Sequence, residues 1–103
     1  MAGKYSKAIM PEDVNAKLEM GEKLSILDVR EIDEWESGHI PDAKHIPLGY
    51  LTQRHTELDK NKEMIVVCHS GNRSSVACEF LEEMGYNVVN MTGGMSHWTG
   101  PRE

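Results

Sequence analysis

Cys68 opens the segment Cys68-His69-Ser70-Gly71-Asn72-Arg73-Ser74, the strongest chemical signal in the chain. The apolar run Met64 to Cys68 (MIVVC) leads into it, and a stretch of helical spacing follows. A cysteine between a buried strand and a helix stands at the carboxyl end of a strand, where open α/β sheets place their ligands. Gly71 permits a left-handed turn, so successive N–H groups can face inward as an anion-binding nest, backed by the positive end of the next helix. Helix N-termini and nearby arginines favour the thiolate, which is the nucleophilic form of cysteine. The pattern therefore predicts a reactive Cys68 thiolate, with His69, Ser70, Gly71, Asn72 and Arg73 around it or a bound anion. The plainer alternative is a cysteine that merely ends a strand before an ordinary glycine turn.

Other residues are read as support. Asp28 and Arg30 close a second apolar run, Leu24 to Val29 (LSILDV), and charges at strand ends serve as paired scaffolding before they serve as substrate contacts. The fixed charge of Arg73 suits it to close the loop over Cys68 or to pair with Asp28 as a strut. His69 is either a loop cation when protonated or an exposed side chain without a role. His39 reads as a structural hydrogen-bonding residue and Trp98 as a core or lid anchor. Cys78 falls on a buried helical stripe, where a thiol packs as a small hydrophobe, so no catalytic role is assigned to it. A Cys68–Cys78 disulfide needs Cα atoms within about 7 Å, which spacing alone does not establish. Cys68, His69, Cys78 and His97 match no common zinc spacing, and no metal site is predicted.

The elements that must hold these residues follow from punctuation and periodicity. Pro11 starts a helix over 11–20, with Val14 and Leu18 on its apolar face and Gly21 as its stop. The runs at 24–29 and 64–68 predict central parallel strands, because a strand buried on both faces reads as continuously apolar. Glu31 to Ser37, closed by Gly38, predicts a short helix, and Ala43 to Ile46 predicts an edge strand before Pro47. Ser74 or Ser75 is read as the cap of a helix running to Met84, with Ala77, Phe80, Leu81 and Met84 as its buried stripe. Tyr86 to Asn90 predicts a last strand, after which Gly93 and Gly94 turn the chain into a helical turn holding Trp98. Alternating strands and helices imply an α/β fold with a mostly parallel sheet.

Composition narrows the function classes. At 103 residues, 39% hydrophobic and 27% charged, the chain predicts one globular domain with a packed core. A formal charge of −6 argues against a nucleic-acid backbone as partner. The longest apolar run, Met64 to Cys68, is far short of the roughly 20 residues that cross a bilayer. Met1 to Met10 lacks the apolar stretch of a secretory signal, which predicts a cytoplasmic location. With no broad apolar surface left over, a monomer is expected, with Met95, Trp98 and Tyr50 as candidates for an exposed docking patch.

Four ordered motifs carry a family resemblance: LDVR after an apolar strand, GHIPDAKHIPL, CHSGNRS after IVV, and a late TGG turn followed by Trp98. From about Ile9 to Trp98 the chain resembles a single-domain rhodanese, a sulfurtransferase. The resemblance implies a five-stranded, mainly parallel sheet with helices on both faces, and a core at about 9–98 of one domain spanning 1–103. It also implies that Cys68 forms a persulfide and that the backbone from His69 to Arg73 cradles the transferred sulfur. No metal or organic cofactor enters that chemistry. The sequence departs from several members of the family at His69, where a fixed cation often follows the nucleophile.

Thiolate chemistry then predicts two steps, in which a donor such as thiosulfate gives its sulfane sulfur to Cys68 and a thiol or cyanide removes it. A second reading is a persulfide carrier or binding module fed by a protein sulfur donor. The third is a cysteine-dependent phosphatase or arsenate reductase. Phosphatases of this type have five residues between Cys and Arg, whereas here His69, Ser70, Gly71 and Asn72 make four. A smaller cradle suits one sulfur better than a phosphoryl group with three equatorial oxygens to satisfy.

Overall fold

A computed structural model describes residues 5–103. The five strands are β1 (Ala8–Ile9), β2 (Ser25–Asp28), β3 (Lys44–His45), β4 (Met64–Val67) and β5 (Val88–Met91). They form one sheet in the order β1-β5-β4-β2-β3, and every pairing is parallel. The helices are α1 (Pro11–Glu19), α2 (Ile32–Glu36), α3 (Leu51–Arg54) and α4 (Asn72–Glu83), with 3-10 turns at Leu48–Tyr50, His55–Glu57 and Gly94–His97.

The mainly apolar, buried character of β2, β4 and β5 has a direct cause: both faces of the sheet are covered. Side chains alternate along a strand. Leu27, Met64, Val66, Cys68 and Val88 therefore join Leu51 of α3 and Ala77, Cys78 and Leu81 of α4 in one core cluster. Ile26, Ile65, Val67, Val89 and Met91 join Val14 of α1 and Met95 and Trp98 of the last turn in the other. Helices on both faces of a five-stranded parallel sheet are what the resemblance implied.

The connections place the site. From β2 the chain moves outward to β3, and from β4 it moves the opposite way to β5. The carboxyl ends of β2 and β4 therefore flank the crevice where connections diverge, which is where ligands bind in open parallel sheets. Val29 N–H donates to the Val67 carbonyl at 3.0 Å, so pairing continues to the foot of the Cys68 loop.

Several local expectations need correction. The cap of α4 is neither Ser74 nor Ser75 but Gly71, at φ 99°, and the helix starts at Asn72. The glycine takes the left-handed turn early, leaving both serines inside the helix with hydroxyls directed at other acceptors. Met95 and Trp98 do not form an exposed patch. The last turn folds them against the α1 side of the sheet, where they are 2% and 5% exposed, and of the three named residues Tyr50 alone is open to solvent. The 3-10 and helical segment at 48–57 and the two-residue β1 were not anticipated. Part of the leader reading on Met1 to Met10 lies outside the described residues. Among the described residues no helix is long and apolar enough to cross a membrane.

Candidate active site

Cys68 leaves β4 fully buried. Gly71 N–H donates to its Sγ at 3.0 Å, and the thiol donates to Ser74 Oγ at 3.3 Å. The first contact requires the left-handed Gly71, which folds the loop back over its own starting residue. Ser74, buried in the first turn of α4, also reaches the side-chain oxygen of Asn90 on β5 and the Gly71 carbonyl. One hydroxyl proton serves only one of these acceptors at a time. Asn90, 2% exposed, was missed from the sequence. The available signal was a polar residue inside the apolar strand segment YNVVN.

A second turn clamps the loop from above. Met95 N–H donates to the Cys68 carbonyl at 2.7 Å and Ser96 N–H to the His69 carbonyl at 2.8 Å. The approach is close enough that a Cβ on Gly94 would press into the Cys68 carbonyl oxygen and lie 2.6 Å from the His69 carbonyl carbon. The TGG motif is therefore part of the site's frame as well as a turn.

The loop side chains divide by exposure. His69, Ser70 and Asn72 face solvent, Gly71 is buried and Arg73 is partly covered. Arg73 does not pair with Asp28. Its Nη1 and Nη2 donate to Glu34 of α2 at 2.7 and 2.8 Å, a two-pronged pair tying the start of α4 to α2. Those hydrogen bonds hold the Glu34 carboxyl down at about 2 and raise Arg73 above its usual range. Asp28 is occupied by Arg30, whose Nη2 lies 2.8 Å from Oδ2 and also donates to the Gly38 carbonyl at 2.8 Å. Arg30 Nε reaches both Asp28 oxygens at 3.0 Å, and the two side chains are 3% and 0% exposed. They act as a buried scaffold.

The GHIP segment rests on that scaffold. His39 Nδ1 lies 3.0 Å from the Trp35 carbonyl oxygen, and its ring stacks on Trp35 at 3.5 Å between centroids. His45 stacks with Trp35 at 4.7 Å and reaches the Arg30 carbonyl with Nε2 at 2.7 Å. His39 thus has the structural position expected of it. Cys78 is buried and free, as is Cys68. Burial pushes the Cys78 thiol up to about 12, which keeps it a protonated, packing residue at neutral pH.

A cleft of about 360 Å³ opens beside the loop, bounded by Arg30, Glu34, His69, Ser96 and Arg102. Thus β4 supplies the thiol, α4 supplies the helix start and Arg73, and the Gly93–Gly94 turn fixes the loop backbone. The arrangement offers an enclosed thiol with a directed N–H group and an adjoining polar cleft.

Comparison with known proteins agrees with this fold. The family model described as a rhodanese-like domain matches residues 10–101. YrkF of Bacillus subtilis (strain 168), provisionally named a sulfur carrier protein, is 45% identical over 93 residues. That alignment covers 89% of this chain but half of YrkF's length. YtwF of the same organism, provisionally named a sulfurtransferase, is 42% identical over 94 residues, covering 91% of each chain. The crystal structure of a rhodanese-like domain protein from Staphylococcus aureus superposes with a TM-score of 0.90 at 34% identity, covering 95% of this chain and 97% of that one.

Proposed function

The chain belongs to the rhodanese-like domain family, and from that premise we propose that it is a sulfurtransferase working through a persulfide on Cys68. The observation that carries this reading is the Gly71 N–H directed at Cys68 Sγ from a loop of four intervening residues.

With thiosulfate as donor, the Cys68 thiolate attacks the sulfane sulfur. The bond from that sulfur to the sulfonate sulfur breaks, sulfite leaves with the electron pair, and Cys68 carries the terminal sulfur as an anionic persulfide. Cyanide or a thiolate then attacks the terminal sulfur, forming thiocyanate or a new persulfide and returning the Cys68 thiolate. The protein's share is electrostatic: backbone N–H groups from His69 to Arg73 and the start of α4 favour negative charge on sulfur before and after transfer. Asp28 and Arg30 hold the adjoining strand end, and Arg73 ties the loop to α2 through Glu34. We place the reaction in the cytoplasm, on a monomer.

The test is intact mass before and after thiosulfate under non-reducing conditions, with a cyanide chase. A gain of one sulfur atom, removed by cyanide and absent in a folded Cys68→Ser variant, is expected. Transfer retained by that variant overturns the reading.

A second reading has its own support. A relative bears the name of a sulfur carrier, and the loop has His69 where a fixed cation would help capture free thiosulfate. A carrier accepts sulfur readily from a protein desulfurase and turns over thiosulfate poorly; efficient thiosulfate turnover selects the enzyme.

A further inference from the structure

The cleft beside the Cys68 loop, which His69 lines, has an uneven charge balance. Arg30 is neutralised by Asp28, and Glu34 is neutralised by Arg73. Arg102 is different. Its Nη2 donates to the carbonyls of Met95 at 3.1 Å and Trp98 at 3.5 Å, and among the described residues it has no carboxylate partner. A guanidinium held only by neutral carbonyls keeps its full charge and spare donors for a ligand.

The segment carrying it is fixed. Glu103 N–H donates to the His39 carbonyl at 2.8 Å, and His39 N–H returns a bond to the Glu103 carbonyl at 3.2 Å. The Arg102 side chain crosses Gly38, where a Cβ would lie 3.3 Å from Arg102 Cδ. Met95, whose carbonyl Arg102 grips, is the residue whose N–H holds the Cys68 carbonyl. The Met95 backbone thereby links Arg102 to the Cys68 carbonyl, and Arg102 lines the same cleft as His69.

We infer that Arg102 is the anion-recognition residue of this cleft: it binds the oxyanion end of a small sulfur donor whose sulfane sulfur faces Cys68. The inference rests on the sulfur-transfer reading for the identity of the donor but not for the charge preference itself. In an exposed cleft such an attraction is moderate and falls with salt. Because the group touches the part of the donor that does not receive the attack, it acts on binding rather than on the chemical step.

The test separates the two ideas. Alkylation of Cys68 by iodoacetate and by iodoacetamide, read by mass on the Cys68 peptide, compares an anionic and a neutral electrophile without any sulfur transfer. In Arg102→Gln, which keeps an amide for the Met95 carbonyl, the iodoacetate-to-iodoacetamide rate ratio falls roughly three- to tenfold. Arg102→Lys, which keeps the charge, restores most of it. Thiosulfate KM rises by a similar factor in Arg102→Gln while kcat holds. In the unaltered protein, sulfate slows iodoacetamide more than chloride at equal ionic strength, a measurement independent of whether any variant folds. An unchanged rate ratio in folded Arg102→Gln, or equal effects of sulfate and chloride, overturns the inference. A lowered ratio in a protein that gains no sulfur from thiosulfate sustains the cleft and rejects the donor.

Discussion

The two ends of the sheet differ in a way that hollow size does not predict. The amino ends of β2 and β4 border the larger cleft, about 520 Å³, lined by Lys23, Leu24, Ser25, Lys62 and Glu63. The carboxyl ends border one of about 360 Å³. Yet the larger hollow is edged by solvated charges such as Glu63, whose pair with Lys7 joins side chains 54% and 45% exposed. At the other end an Asp–Arg pair is fully enclosed, a thiol is buried under a left-handed glycine, and a second turn touches the loop too closely for any side chain. Site chemistry follows the density of constraint, because aiming a donor at one atom requires fixed backbone on every side.

The most damaging way to break this contrast is to unpair the carboxyl-end scaffold. Asp28→Ala leaves Arg30 charged and buried with the Gly38 carbonyl as its remaining partner. Removing one partner of a buried pair costs about 3–5 kcal/mol. A large fall in the urea midpoint, without a change in slope, is expected in equilibrium unfolding. A loss below about 1 kcal/mol would show that water reaches Arg30 and that this end is not constrained as described.

Gly94→Ala attacks the clamp instead. At φ 61° its backbone is left-handed, and a methyl group would press on the carbonyls of Cys68 and His69. We expect a cost of roughly 2–3 kcal/mol, from strain and a displaced loop. Sulfur transfer should fall more steeply, on the order of a hundredfold, since about 1 Å of misplacement at a reacting group has that effect. Comparing kcat/KM with thermal stability checks the separation. An equivalent change at Gly21, which has nothing near its Cβ, strains only its own turn.

What was legible in the sequence tracks the same contrast. Continuous apolar runs announced β2 and β4, and Gly71 with Cys68 announced the loop, because burial and left-handed turns restrict residue type locally. The Arg73–Glu34 pair was not legible. Its partners are 39 positions apart, and the nearer-looking acid, Asp28, was already engaged by Arg30. Asn90 and Arg102 escaped for a related reason: a polar residue on a strand and a charge near the end of the chain acquire meaning only when α4 and the last turn fold onto them. Met95 and Trp98 looked exposable because the turn that buries them has no periodicity to reveal its direction.

A milder test falls on the partly exposed pair at the rim. Glu34 is held at about 2 by Arg73, below its ordinary value of 4.5, so its contribution is fully present above about pH 4.5 and is lost as pH falls toward 2. With the side chains about one-third exposed, screening discounts that contribution to about 1 kcal/mol. Glu34→Gln should therefore lower stability by that amount at pH 7. The difference from the unaltered protein should shrink through the window from 4.5 to 2, as followed by urea midpoints against pH.

The smallest expected effect belongs to the amino end. Lys7→Ala removes the 2.8 Å contact with Glu63 and a hydrogen bond to Asn87, all at an exposed edge. Water replaces these partners at little cost, and surface pairs of this kind contribute about 0–1 kcal/mol. The urea midpoint should shift by less than about 0.5 kcal/mol equivalent, and Cys68 alkylation and sulfur transfer should not change. If this variant instead altered reactivity at Cys68, the two ends would be coupled through β4 and β5, and the larger cleft would have to be treated as part of the working site. Silence in this variant, beside losses at Asp28 and Gly94, would assign the chemistry to the carboxyl end.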